Sequence, residues 1–170
     1  MDKASKPKIN RRQSRDVAFC LLFEWSFHGE LFEELVENAR YARELDTDDF
    51  ALDLCKLAIE NASELDSLIE QYSESWKVTR LSKVTLSVLR LAFCELTKFE
   101  NIPLGATINE AVELCKKYAT EDEAAFVNGI LGQYVRREGV SQTALAEELD
   151  LLPEEEQNTL EDKSNANPGD

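Results

Sequence analysis

Six glycines and four prolines in 170 residues leave the chain short of turn-makers. That argues against a sandwich or barrel and for long helices. There is a single histidine, His28, and the four cysteines, Cys20, Cys55, Cys94 and Cys115, form no Cys-x-x-Cys pair. A zinc site needs such residues clustered, so no metal is expected, and the cysteines read as buried free thiols. No run reaches the roughly 18 apolar residues of a membrane span. The opening "MDKASKPKIN" lacks the apolar stretch of a secretory signal, so a cytoplasmic location is expected. Also missing are a Gly-rich phosphate loop, a Gly-x-Ser-x-Gly elbow and a His-Glu-x-x-His pair. Without an activated nucleophile, a pocketed carboxylate pair or a metal, the expectation is no enzyme, no catalytic residue, no cofactor and no small-molecule substrate.

What is present is enough apolar side chain for a core: 43% hydrophobic against 31% charged residues. The net charge of −15 would by itself disfavour a nucleic-acid partner. Its distribution says more. Lys3, Lys6, Lys8, Arg11, Arg12 and Arg15 crowd the start, whereas Glu147, Glu148, Asp150, Glu154, Glu155, Glu156, Glu161 and Asp162 crowd the end. Residues 1–10 read as a disordered basic head, 11–138 as one helical domain, and 139–170 as an acidic, largely disordered tail.

Apolar residues recur at three- and four-residue steps throughout the domain, and no alternating strand pattern occurs, so the fold class is all-α. The first helix follows "RRQSRD" and is apolar on almost every side from Val17 to Phe23, which marks it as central. A second runs over about 31–45. A third, capped by "DTDD", runs from Phe50 to Tyr72 with a break expected near Ser63. A fourth covers "VTLSVLRLAFCELTKF". The fifth starts either at Pro103 or at the capping box of Thr107 and Glu110. Thr120 with Glu123 caps the sixth.

That sixth helix contains "EDEAAFVNGIL", with Gly129 and Gly132 three residues apart. Glycine in a helix costs about 1 kcal/mol, so close approach of another helix backbone is expected there. Asn128 reads either as a buried hydrogen-bonding amide or as a contact, and Phe126 either as core or as a stacking surface.

Three segments in this order resemble the NusB family of transcription antitermination factors. They are "RRQSRDVAFCLLFEW", "LSVLRLAFCEL" and "IPLGATINEAVELCKKYATEDEAAFVNGIL", the last carrying the INEA-x-EL and FVNG-x-L signatures. The resemblance implies six to seven helices in two three-helix lobes. It implies binding of boxA-type RNA together with NusE, a small-subunit ribosomal protein, and an indirect action on the RNA polymerase elongation complex. Position by position, it places RNA binding on Arg11, Arg12, Arg15, Glu121, Asp122, Phe126 and Asn128, and partner binding on Phe23 and Thr85. Physically, arginines at a helix start hold phosphates without choosing sequence, while aromatics and fixed polar groups choose unpaired bases.

Four positions depart from the family pattern: Ala125 replaces a frequent lysine, Glu123 a serine or lysine, Thr85 an acid, and Phe23 a tyrosine. Losing a lysine removes one counterion-releasing contact. The alternative expectation is therefore a protein–protein adapter of the same fold with weak or no RNA binding.

Overall fold

The computed structural model describes residues 9–74 and 76–138. The basic head through residue 8 and the acidic tail from residue 139 lie outside the described residues. Seven α-helices follow in order: α1 (Arg11–His28), α2 (Phe32–Arg43), α3 (Asp49–Glu60), α4 (Ala62–Tyr72), α5 (Lys83–Lys98), α6 (Leu104–Tyr118) and α7 (Glu121–Arg137). A 3-10 turn at Val78–Arg80 links α4 to α5, and no strand occurs among the described residues.

The helix starts are written in side-chain oxygens. Asn10 and Gln13 form a reciprocal capping box at α1, Asp48 accepts from the Ala51 amide at α3, and Ser82 accepts from the Thr85 amide at α5. Thr120 does the same for Glu123 at α7. Asp48 also accepts from the Ser14 hydroxyl at 2.7 Å, so one carboxylate ties the start of α3 to the start of α1. α1 ends at Gly29, whose φ of 64° is the left-handed conformation that glycine adopts without strain.

Two boundaries that the sequence left open are fixed by the structure. The long third helix is two helices, α3 and α4, parted at Asn61, whose side-chain amide turns back to donate to the Leu57 carbonyl. α6 takes the earlier of its two possible starts, with Pro103 at the cap position. Thr107 lies inside the helix, where its hydroxyl donates to Glu95 instead of accepting from a backbone amide.

α1 with α2 and α3 forms one lobe, and α4 to α7 form the other. α5 joins them, packing against α1, α3, α4, α6 and α7. The central helix is thus α5 and not α1. Val88, Leu89, Phe93 and Cys94 of α5 are buried, whereas the far end of α1 leaves Phe27 56% exposed. Around α5 the core gathers Phe19, Leu22, Leu54, Ile69, Tyr72, Val127 and Leu131. Tyr72, Phe93 and Tyr134 meet with ring centroids 5.3 to 6.1 Å apart, clamping α4, α5 and α7 together.

The glycine expectation is corrected. A Cβ built on Gly129 meets nothing within 4 Å, and one on Gly132 meets only the side chain of Arg136 from the same helix. Among the described residues, no helix approaches α7 through either glycine.

Candidate nucleic-acid interface

The capping box at Asn10 sets Arg11, Arg12 and Arg15 on the first turn and a half of α1, and each finds a different environment. Arg11 is exposed, its guanidinium carbon 3.9 Å from the centroid of the Phe50 ring. That cation–π contact fixes the side chain while leaving its N–H groups to solvent. Arg12 donates from Nε and Nη2 to the Glu110 carboxylate at 3.0 to 3.3 Å. Its side chain stays 61% exposed over a Glu110 that is only 7% exposed. Both arginines line a hollow of about 540 Å³ with Asn10, Asn101 and Pro103.

Arg15 is different in that it has a partner inside the fold. Its Nε donates to both Glu95 oxygens, at 3.0 and 3.1 Å, and Nη2 donates to the same carboxylate. Thr107 donates a further hydrogen bond to Glu95 at 3.0 Å, and the two ionic side chains are 10% and 3% exposed. This pairing gives Arg15 a structural role, while its side chain still borders the hollow that Arg11 and Arg12 line. The sequence reading missed the partners. Glu95 in "LAFCEL" and Glu110 in "INEA" are acids inside apolar stripes, and such acids stay buried only when paired.

The second candidate cluster lies at the start of α7. Glu123 closes the capping box and its carboxylate accepts from Ser82 at 2.6 Å, Thr85 at 3.0 Å and Thr120 at 3.0 Å. These hydroxyls, that of Ser82 foremost, hold its carboxyl below the ordinary glutamate value. Thr85 itself is 1% exposed, so it offers no surface to a partner; the accessible group at that place is Glu123. Glu121 and Asp122 are exposed in the first turn, and Asn128 is half-buried farther along. Phe126 is half-buried and meets Trp76 with centroids 6.1 Å apart at 71°. Trp76 is 51% exposed. Its signal was an aromatic residue standing alone in the polar connection "SESWKVTRLSK".

Phe23 stands half-buried in a ladder along α1, between Phe19 at 5.8 Å and Phe27 at 5.0 Å. Lys83 places its ammonium 4.7 Å from the Phe27 ring centroid while donating to the Ser26 carbonyl at 2.7 Å. The face around Phe23 is therefore apolar with a cationic edge.

The two candidate RNA clusters do not form one pocket. Glu95 on α5 belongs to the arginine cluster and Thr85 to the α7 cluster, ten residues and about 15 Å apart along that helix. Of the thiols, Cys115 lies behind the α7 cluster, hydrogen-bonded to Thr85. Burial pushes Cys55, Cys94 and Cys115 up to about 12, and no group of side chains among the described residues could hold a metal. No helix among the described residues is long and apolar enough to cross a membrane.

A model of the NusB family matches residues 12–136. A transcription antitermination protein NusB of Clostridium botulinum (strain Kyoto / Type A2) is 43% identical over 143 residues, covering 75% of this chain and all of the relative. Among solved structures, T. maritima NusB superposes with a TM-score of 0.66 at 37% identity, covering 82% of this chain and 99% of that one. A structure of the antitermination factors NusB and NusE in complex with double-stranded RNA gives a TM-score of 0.67 at 32% identity, over 75% of this chain and 96% of that one. With its signature acids holding the arginines of α1 and its FVNG segment opening α7, the chain belongs to the NusB family.

Proposed function

We propose that this chain is a cytoplasmic transcription antitermination factor. In this reading it binds boxA-type RNA together with the ribosomal protein NusE and acts on the RNA polymerase elongation complex through that assembly. The observation that carries the reading is the family match across residues 12–136, and the geometry supports it. Arg11 and Arg12 supply the phosphate contacts from the start of α1. Phe126 offers a ring to an unpaired base, with Asn128, Glu121 and Asp122 as polar groups on the same helix. Phe23 contributes to the NusE-facing side, and Glu123 stands in for the acid that Thr85 lacks, suiting a basic ribosomal protein. The test is an RNA titration with and without NusE at several salt concentrations. The expected result is salt-sensitive binding of single-stranded boxA RNA, tightened by NusE and weaker for a duplex of the same sequence. Absence of binding with NusE present would sink the reading.

The adapter reading has one observation in its favour: of the three arginines, Arg15 is enclosed by Glu95 and Arg12 is partnered by Glu110. It predicts NusE capture that is indifferent to RNA and to Arg11→Ala.

A further inference from the structure

We propose that the acidic segment 145–156 of this chain docks on the hollow lined by Arg11 and Arg12 and competes there with RNA. The inference rests on the RNA-binding reading above and adds to it a competitor carried by the chain itself. Residues 139–170 hold nine acids against one lysine, more than half of the net charge of −15. They lie beyond the family match, which ends at residue 136.

The fold delivers this segment to the right end of the molecule. Thr85 near the start of α5 meets Glu123 near the start of α7, and Phe93 meets Tyr134 farther along, so the two helices run parallel. α1 runs the other way, since Arg15 meets Glu95 and Ser26 meets Lys83. The end of α7 and the start of α1 therefore lie level, both at the Glu95 end of α5. Tyr72 holds the end of α7 there by donating its hydroxyl to Glu138 at 2.6 Å. α1 and α7 each pack on α5. Helix axes in contact stand about 8–10 Å apart, so the two ends are within roughly 20 Å of each other. A chain covers at most about 3.5 Å per residue, which lets Leu145 reach about 20 Å from Gly139 and Glu154 about 50 Å.

Hollow and segment also match in chemistry. Arg11 keeps its N–H groups toward solvent, and Arg12, 61% exposed above Glu110, borders the same space. Beside them lie half-buried Ile102, Pro103 and Ala106, so the cations edge an apolar patch. The segment "LAEELDLLPEEE" sets Leu145, Leu149, Leu151 and Leu152 among Glu147, Glu148, Asp150 and Glu154. A tail that only aids solubility needs the acids alone, whereas leucines between them suit a surface of this mixed kind. Exposed ion pairs are individually weak. A tethered ligand nevertheless meets its site at an effective concentration of about a millimolar, so an intrinsic Kd of about 0.1 mM weakens RNA about tenfold. A strand gripped at a second point displaces it.

The test uses the full chain carrying Glu147→Gln, Glu148→Gln, Asp150→Asn, Glu154→Gln, Glu155→Gln and Glu156→Gln together, all outside the helical domain. With NusE present, this neutralised chain should bind single-stranded boxA RNA about tenfold more tightly than wild type at low salt, by fluorescence anisotropy. The gap should close as salt screens the tail. In an Arg11→Ala background the gain should shrink to about twofold. An equal gain in both backgrounds would mean repulsion at a distance, and the docking would be refuted. Without RNA, the backbone amide resonances of Arg11, Asn101 and Ala106 should differ between the wild-type and neutralised chains. If they coincide while both chains bind RNA alike, the proposal is wrong and the RNA reading stands. If neutralisation weakens NusE capture and gains nothing for RNA, the tail serves the protein partner and the proposal is again wrong. If neither chain binds RNA, both readings fall.

Discussion

Replacing Arg15 by alanine separates an arginine that builds the fold from arginines that meet a ligand. The change leaves the Glu95 carboxylate, 3% exposed, with the Thr107 hydroxyl as its remaining side-chain donor. Removing one partner of a buried ion pair costs about 3–5 kcal/mol, because the surviving charge is stranded in a medium that solvates it poorly. Thr107 places this case near the lower end, about 3 kcal/mol. For a domain of this size that is a loss of about 10 °C in melting temperature. Arg11→Ala should cost under about 1 kcal/mol, since it removes an exposed cation–π contact. The assays are thermal and urea unfolding followed by circular dichroism, paired with RNA titration at a temperature where both variants are folded. Arg15→Ala should then bind RNA within about twofold of wild type, and Arg11→Ala should bind more weakly. Arg15→Met with Glu95→Leu should recover most of the lost stability, because matched apolar groups need no counter-charge. The reasoning fails if Arg15→Ala melts with the wild type yet loses RNA binding as Arg11→Ala does.

Other expectations can be checked with the same material. Removing Arg11 should make the logarithm of RNA affinity less steep against the logarithm of salt by about 0.7, the single-strand value for one phosphate contact. Glu123 has a folded-state pKa below its ordinary 4.5, so the stability it contributes is present above that pH and lost as pH falls through the lower folded value. Glu123→Gln should therefore flatten the acid limb of a stability–pH profile and lower stability at neutral pH, where the charged carboxylate contributes in full. Cys55, Cys94 and Cys115 are buried, whereas Cys20 is half-buried against Tyr118. An aromatic disulfide reagent at neutral pH should accordingly titrate one thiol in the native protein and four in denaturant, with more than one fast thiol in the native state counting against the packing.

Helix content was legible because it depends on local periodicity and on caps whose chemistry is written in one or two letters. Thr120 and Glu123 cap α7 as their spacing implies, and Asp48 caps α3. What escaped was pairing across the fold. Nothing in "RRQSR" distinguishes Arg15 from Arg11; the difference lies in Glu95, eighty residues away in sequence, and in Phe50. The centrality of α5 was hidden for a similar reason. Both α1 and α5 are apolar around much of their circumference, and only the contacts of the other helices decide which is enclosed. Phe126 was visible as a candidate through the family signature, whereas Trp76 sits in the irregular segment before α5, where periodicity carries no information.

Gly129 gives the molecule an uneven resistance to local opening. It stands on the solvent side of α7 with open space where a side chain would project, so alanine would fit there and would stiffen the helix by about 1 kcal/mol. The turn around it is buttressed by Ile130 and Leu131 on its inner side alone. Amide hydrogens on the outer side of this turn should exchange with solvent sooner than those of α5, which is gripped from all sides. α7 thus joins a compliant outer strip to a rigid inner one. Its middle can yield slightly to whatever lies against it without disturbing the aromatic clamp at Tyr72, Phe93 and Tyr134.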